Sequence, residues 1–471
     1  MTDLQYYSTE IDKILIDVLG EALRFNQSDK IVLVDLITDT ILCYDKRLKR
    51  SDLAVIVQYL IQKKFVQHYS YFVPEPYEEI RANKHDYSGK RFEENVYQKR
   101  VKQIRYLKSI PQHEQKSVEW LQQRSECLTA TAVAIVLDED PYKYPADLLL
   151  DKCGRGEPFV DNANVHHGRK YEEIANMFYA HRNNVRVAEY GLIQHASHPF
   201  IGASPDGICE PDRLDGKGLS KLVGRLLEIK CPKRRQIKTE GRLNGDICPH
   251  YYYVQVQTQL FVTQMIECDF LQVKIEEYES WDEWKDDSVN DNPGLSQKTG
   301  FEKGLVISLS PKLFTSDEQR LFCSQYIYPP KLHMTLHETK KWIANSIINY
   351  PHHRYADEYV IDKIIYWRLA KVGCNLIKYE REWFESKIPM LKQFWDYVQF
   401  YNQNPKLLES LERYIKEIGS KNSRQIFQRV HKEYQKNHKC DREQLYLTPT
   451  KWRLESDATK TRYANSRYAK H

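Results

Sequence analysis

Two short segments hold side chains of the kinds that break phosphate esters. Ser204-Pro205-Asp206-Gly207 is followed, 22 residues after its aspartate, by Leu227-Glu228-Ile229-Lys230-Cys231-Pro232. The apolar residues around Glu228 predict a buried strand, in which alternation sends Glu228 and Lys230 to one face and Ile229 to the other. Pro211, Gly216, Gly218 and Gly224 lie between the segments and suit a chain reversal. If the preceding strand ends at Asp206, a hairpin brings that carboxylate beside Glu228. Two carboxylates at one point repel each other unless a cation sits between them, and hard oxygen donors select a hard divalent ion such as Mg²⁺ or Mn²⁺. A lysine alongside can orient or deprotonate water, or offset charge developing on a phosphate. Together these are the parts for metal-assisted phosphodiester hydrolysis. Singly they are ordinary, because Glu-x-Lys is a common surface-strand pattern and Ser-Pro-Asp-Gly a common turn.

Two further elements bear on the same centre. His167-Gly168-Arg169-Lys170-Tyr171-Glu172-Glu173 opens a helix that continues through Ile174, Met177 and Phe178. Gly168 permits a tight entry, and Glu172, one turn in, can point at the metal centre. Alternatively, both glutamates simply favour the positive end of the helix, an effect of about 0.3–1 kcal/mol. His166 and His167 are adjacent and so share no helix face, which leaves them as turn or substrate-contact residues. In Tyr252-Tyr253-Val254-Gln255-Val256-Gln257-Thr258-Gln259-Leu260-Phe261, helical spacing aligns Tyr252, Gln255 and Gln259, with Val254, Phe261 and Met265 toward a core. Such a polar stripe can hydrogen-bond DNA or a catalytic water, or merely face solvent.

The chain that must position these groups has 471 residues, room for two or three domains of ~150 residues each. With 41% hydrophobic and 29% charged residues, wholesale disorder is excluded. No apolar run approaches the ~18–20 residues of a membrane span, and Met1-Thr2-Asp3-Leu4-Gln5 does not open a secretory signal, so an intracellular protein with no membrane partner is expected. Ten scattered cysteines form no CxxC pair, which argues against a zinc ribbon or thioredoxin-type site and for reduced thiols. No four-cysteine cluster is evident, and Cys231 reads as a small buried hydrophobe.

Net charge is +5, but residues 421–471 hold 13 Lys+Arg against 5 Asp+Glu, leaving −3 elsewhere. This stretch, interleaved with Tyr434, Tyr446, Trp452, Tyr463 and Tyr468, suits a polyanion, or is a solvated tail. A second basic stretch, Lys99 to Lys108, reads as a charged helix face. Apolar spacing predicts helices over 8–25 and 52–66, hence a helical N-terminal domain, 1–110, of no assignable chemistry. Pro111 and the polar run after it mark a boundary; 111–402 holds the chemistry, and 403–471 is a basic helical tail. Within the middle domain, the acidic segment 276–300 reads as a surface insertion, 301–345 as strand then helix, and 358–400 as helical packing.

Glycine-x-x-x-glutamate, Ser-Pro-Asp-Gly, Leu-Glu-Ile-Lys-Cys-Pro and Tyr-x-x-Gln-x-Gln, in that order, resemble the YqaJ-like viral recombinase family, the lambda-exonuclease type within the PD-(D/E)xK nuclease superfamily. Trp120-Leu121-Gln122-Gln123-Arg124 and Leu128-Thr129-Ala130-Thr131 look like that family's opening helix pair, so the resemblance covers roughly 117–275. It implies an α/β fold: a restriction-endonuclease-like core, a mixed central sheet flanked by helices, here with added helical N- and C-terminal parts. It also implies a Mg²⁺- or Mn²⁺-dependent exonuclease, two ions per site, degrading one strand of duplex DNA from its 5′ end in recombination, repair or viral genome processing.

By position, Asp206, Glu228 and the main-chain carbonyl of Ile229 would bind metal. Glu172 would serve a second ion or its water, Lys230 would position or activate the water, and Gln255 would orient the nucleophile or phosphate. Arg124 and Thr131 would grip a 5′-phosphate, with Tyr252 and Gln259 as further DNA contacts. Where lambda exonuclease has an additional aspartate, this chain has His195-Ala196-Ser197-His198, so a second metal would be bound more weakly or by a histidine. Family relatives form rings around DNA, which makes a homo-oligomer and a strand-annealing protein candidate partners. The outer segments look like additions carried by large DNA viruses, with host cytoplasm, viral factory or virion as the location. A structure-specific endonuclease and an inactive DNA-binding or assembly protein are the competing readings.

Overall fold

The computed structural model describes residues 94–113, 117–157, 161–289 and 292–437, with scattered positions between 6 and 60. In chain order the strands are β1 (Leu128–Thr129), β2 (Val187–Ala188), β3 (Ile193–His195), β4 (His198–Ala203), β5 (Gly207–Cys209) and β6 (Leu226–Lys230). They continue with β7 (Glu267–Glu277), β8 (Ser288–Val289), β9 (Asn292–Ser296), β10 (Lys303–Pro311), β11 (Gln325–Ile327) and β12 (Tyr359–Lys378). Among the described residues, one mixed sheet runs β11-β10-β12-β7-β6-β5-β2, and a smaller one runs β1-β4-β3. β6 is parallel to β7 and antiparallel to β5.

Both faces of the main sheet are covered, which is why β6 reads as a nearly continuous apolar run. Leu226 faces one core with helix His250–Thr263, whereas Leu227 and Ile229 face the other with helix Ala163–Asn183. This is a mixed α/β core, a central sheet flanked by helices, and the cysteines described are free thiols. No described helix is long and apolar enough to cross a membrane.

Two expectations change. Segment 358–400 was expected to be helical, yet its first half is β12, a 20-residue strand between β10 and β7; helices follow only at Arg381–Glu385 and Ile388–Gln403. Ile365, Trp367 and Leu369 share one buried face and Val372 and Cys374 continue it, with a register shift between Leu369 and Lys371. That one-residue slip changes the parity of the apolar positions and hides a period of two.

Segment 276–300 is packed rather than appended. Helix Trp281–Asp286 buries Trp284, and the buried Asp287 accepts hydrogen bonds from the hydroxyls of Tyr278 and Ser296, both at 2.6 Å.

Segments on both sides of the expected borders at 110 and 402 pack into the central core. Helix Glu94–Ser109 packs Tyr97, Val101, Ile104 and Leu107 into the central core, and Arg100 pairs with Glu267 at 2.9 Å. At the other end, helices Pro405–Ile418 and Ser423–Asn437 bury Leu407, Leu408, Leu411, Ile426, Phe427 and Val430 in that same core. The N-terminal part has a separate helical core of Tyr7, Ile11, Ile37, Ile41, Leu53, Val57 and Leu60. Most of the two predicted N-terminal helices, and the basic tail beyond 437, lie outside the described residues.

Gly207 starts β5 with no left-handed backbone requirement; space is what demands a glycine there. A Cβ at that position would lie 2.2 Å from Cγ1 of Val187 on the paired strand β2. Gly207→Ala is therefore expected to destabilise by about 1–3 kcal/mol, and Val187→Ala should restore most of the loss. Equal urea midpoints for native protein and Gly207→Ala would contradict this packing.

Candidate active site

The hairpin β5–β6 pairs Gly207 with Leu227 and Ile208 with Leu226, which sets Asp206 opposite Glu228. The expected strand ending at Asp206 does not exist: β4 stops at Ala203 and belongs to the smaller sheet, and the hairpin begins after the aspartate. The outcome for the two carboxylates is nevertheless the predicted one. The Ile229 N–H donates to Asp206 Oδ2 at 2.7 Å, so the strand carrying Glu228 also holds the aspartate.

Glu228 is 0% exposed. A buried carboxylate needs donors, and three side chains supply them. Lys230 Nζ pairs with Oε1, Gln255 Nε2 donates to Oε1 at 2.7 Å, and Gln259 Nε2 donates to Oε2 at 2.6 Å. Tyr252 covers the lysine, with its ring centroid 4.6 Å from Nζ. Asp206 is pushed well above the usual carboxylate range, first by burial and then by the charge of Glu228; Lys230 and the Ile229 N–H oppose the shift only in part. Burial works against the charge of Lys230, but Glu228 and Asp206 outweigh it and raise its pKa. Glu172 lies exposed on helix Ala163–Asn183, close enough for its charge to add to the upward shift of Asp206.

This donor set fits a hard divalent cation: Asp206 stands opposite Glu228 across the hairpin, both offer carboxylate oxygens, and each raises the cost of the other's charge. A second candidate lies elsewhere. His181, Glu302 and His333 bring ligand atoms within 4.8 Å of one another. The carboxylate of Glu302 accepts from Arg182 Nε at 2.6 Å and Nη2 at 3.0 Å, so it is ion-paired as Glu228 is with Lys230.

The other sequence candidates divide. Gln259 was expected to touch DNA, but it is 0% exposed and committed to Glu228, so it holds the carboxylate. Gln255 shares that task. Arg124 ends helix Val118–Ser125, half-buried over the Trp120 ring at 4.5 Å, and no carboxylate pairs with it among the described residues. Thr131 is exposed, its hydroxyl 3.2 Å from that of Thr129. His195 stacks on Phe261 at 4.2 Å, and its Nδ1 accepts from the backbone N–H of His198 at 3.1 Å. Phe261 is two positions, hence about 200°, around the helix from Gln259, so His195 packs on the side away from Glu228. His166 is buried and bonded to the Tyr326 hydroxyl at 2.7 Å.

Sequence reading missed two features. Lys152 Nζ donates to the carbonyls of Arg124 and Cys127, both at 2.6 Å, and pins the turn that carries the arginine; burial pushes its pKa down to about 8. Beyond Lys230, the cations Lys233, Arg234 and Lys238 are exposed, with no carboxylate paired to them among the described residues. The run Lys233-Arg234-Arg235 immediately after the strand motif was the available signal.

A sequence model of the YqaJ-like viral recombinase domain matches residues 119–266. "Uncharacterized protein R354" of Acanthamoeba polyphaga mimivirus is 44% identical over 546 aligned positions, which span 100% of this chain and 99% of that one. Among solved structures, an alkaline exonuclease from Laribacter hongkongensis, LHK-Exo, is similar at 17% identity and a TM-score of 0.32, over 64% of this chain and 100% of that one. LHK-Exo in complex with dAMP gives 16% and 0.33 over the same shares.

If Gln259 serves to satisfy Glu228, Gln259→Leu keeps the volume and removes a donor from a buried charge. The expected loss is about 1–3 kcal/mol, read from urea unfolding. An unchanged midpoint would remove the clamp from the description of the site.

Proposed function

We propose that this chain, which belongs to the YqaJ-like viral recombinase family, hydrolyses phosphodiester bonds at the ends of linear double-stranded DNA in the 5′→3′ direction, using divalent metal ions. The observation that carries this reading is the convergence of Asp206, Glu228 and Lys230 on one face of a hairpin. A 44% identical mimivirus relative supports a large-DNA-virus version, acting in recombination, repair or genome processing.

Asp206, Glu228 and the Ile229 carbonyl would hold one ion, and Glu172 would serve a second. When bound, Mg²⁺ or Mn²⁺ supplies charge neutralisation at the phosphate and a more acidic water. Gln255 and Gln259 fix the orientation of Glu228 before substrate arrives, so no binding energy is spent ordering it. Lys230, paired with Glu228, would orient or activate water and offset phosphate charge. Arg124, with its turn pinned by Lys152, holds the 5′-terminal phosphate together with the Thr131 hydroxyl. The exposed Lys233, Arg234 and Lys238 extend the phosphate-binding surface away from the site.

A time course on end-labelled linear duplex and on closed circular DNA, with and without Mg²⁺, tests the reading. Mononucleotides should accumulate from linear DNA only, and a chelator should stop the reaction. Cleavage of the circle, or full activity in EDTA, would replace the proposal. Asp206→Ala and Lys230→Ala should each lose roughly 10²–10⁴-fold in rate while still binding duplex. Native turnover by either variant would refute the site. Ends with a 5′-phosphate should be digested faster than 5′-hydroxyl ends, and Arg124→Ala should abolish the difference; equal rates in the native protein would remove the phosphate pocket.

A further inference from the structure

Helix His250–Thr263 begins with consecutive tyrosines at 251, 252 and 253. Tyr253 turns inward, its hydroxyl donating to Glu380 at 2.6 Å. Tyr252 covers Lys230. Tyr251 packs on Tyr252 with ring centroids 4.2 Å apart, and meets Tyr142 edge-on at 5.7 Å and 85°. Tyr142 itself is 79% exposed. A row of rings therefore leads from the ammonium of Lys230 to solvent.

A single exposed aromatic residue is unremarkable on a protein surface. Here the backbone presenting it is firmly tied. Buried Asp140 accepts hydrogen bonds from the N–H groups of Tyr142 at 2.7 Å and Lys143 at 3.0 Å. Glu139 Oε2 lies 2.9 Å from His250 Nε2, and His250 Nδ1 lies 2.9 Å from Asn244 Oδ1. The loop is thus anchored to the first turn of the helix that holds Glu228. Lys143 pairs with Asp151 on the following helix, Pro145–Lys152. A ring on a tied backbone, mostly in water and two ring contacts from Lys230, leaves most of its surface open to a partner. The exposed cations Lys233 and Arg234 follow Lys230 out of the same strand, Lys233 toward helix Ala163–Asn183, where its charge acts on His166, His167 and Lys170; Lys230 is the cation beside the rings. Rings and cations together are what an unpaired nucleic-acid strand binds, because every base has a π-face.

We propose that Tyr142, backed by Tyr251 and Tyr252, is a stacking surface for an unstacked nucleobase beside the scissile phosphate. The subsite rests on the exonuclease reading, since removing nucleotides from a duplex end parts the terminal base pair and exposes such a base. Stacking on a ring recovers part of the lost base–base contact without regard to sequence.

The test uses the full chain carrying Lys230→Ala, bound to a duplex with 5-iodouracil at successive terminal positions of either strand. Long-wavelength irradiation couples this base to an aromatic ring stacked on it. The expected result is a crosslink that peptide mapping assigns to Tyr142, lost in Tyr142→Ala and kept in Tyr142→Phe. Duplex binding by Tyr142→Ala should weaken roughly 5- to 150-fold, with an unchanged melting midpoint because the ring is exposed. A crosslink confined to other residues, or none at all, overturns the subsite, as does a binding loss that merely follows a lowered midpoint. Metal-dependent digestion of linear DNA by the native chain separates the two failures. If digestion persists without the crosslink, only the subsite falls; if digestion is absent, the exonuclease reading falls with it.

Discussion

A carboxylate with no access to water is the constraint around which the centre of this molecule is arranged. Glu228 sits inside a seven-stranded sheet, where an unpaired charge would cost several kcal/mol. Its partners come from two elements: Lys230 from its own strand, and Gln255 and Gln259 from helix His250–Thr263. Satisfying the charge therefore fixes the helix against β6, and that placement in turn lays Tyr252 over Lys230. The same strand offers the Ile229 N–H to Asp206. One buried charge thus sets the geometry of four side chains and an aromatic cover.

The helix that answers Glu228 is buried nearly all round, which is unusual for a segment containing three glutamines. Each is committed. Gln255 and Gln259 turn toward the sheet, while Gln257 donates to the Lys378 carbonyl at 2.8 Å and accepts from the Glu380 N–H at 2.8 Å. Gln257 therefore ties the end of the long strand β12 to the helix that holds the site. Thr258 and Thr263 return their hydroxyls to the helix backbone at 2.8 Å. Polar residues in this helix position neighbouring elements, and its first turn is what reaches solvent.

Much of the site could be read from the chain because strand alternation and helix spacing are local rules. Glu228 and Lys230 share a face as two residues two apart on a strand must, and Tyr252, Gln255 and Gln259 fall together as helical spacing requires. What those rules do not show is depth. The glutamine stripe could equally have faced solvent, and Gln259 was assigned to DNA, because spacing says nothing about which face another element covers. β12 was missed for a related reason: a register shift near Leu369 breaks its parity, while the buried segment around Trp284 looked like an insertion because its acidic residues hide one anchoring tryptophan. Lys152 carries no local signal, since its work is to bond carbonyls more than twenty residues away.

The amino-acid order by itself determined the identity of the candidate site groups, their faces and the family they mark, since each follows from residue type at short separation. Only the tertiary structure decided that Asp206 stands opposite Glu228, that two glutamines rather than water satisfy that carboxylate, that the histidines at 195 and 198 pack on Phe261, away from Glu228, and that a tied loop brings Tyr142 to the tyrosine row. These outcomes depend on contacts between residues distant in sequence, where burial and charge compensation, rather than spacing, select the partner.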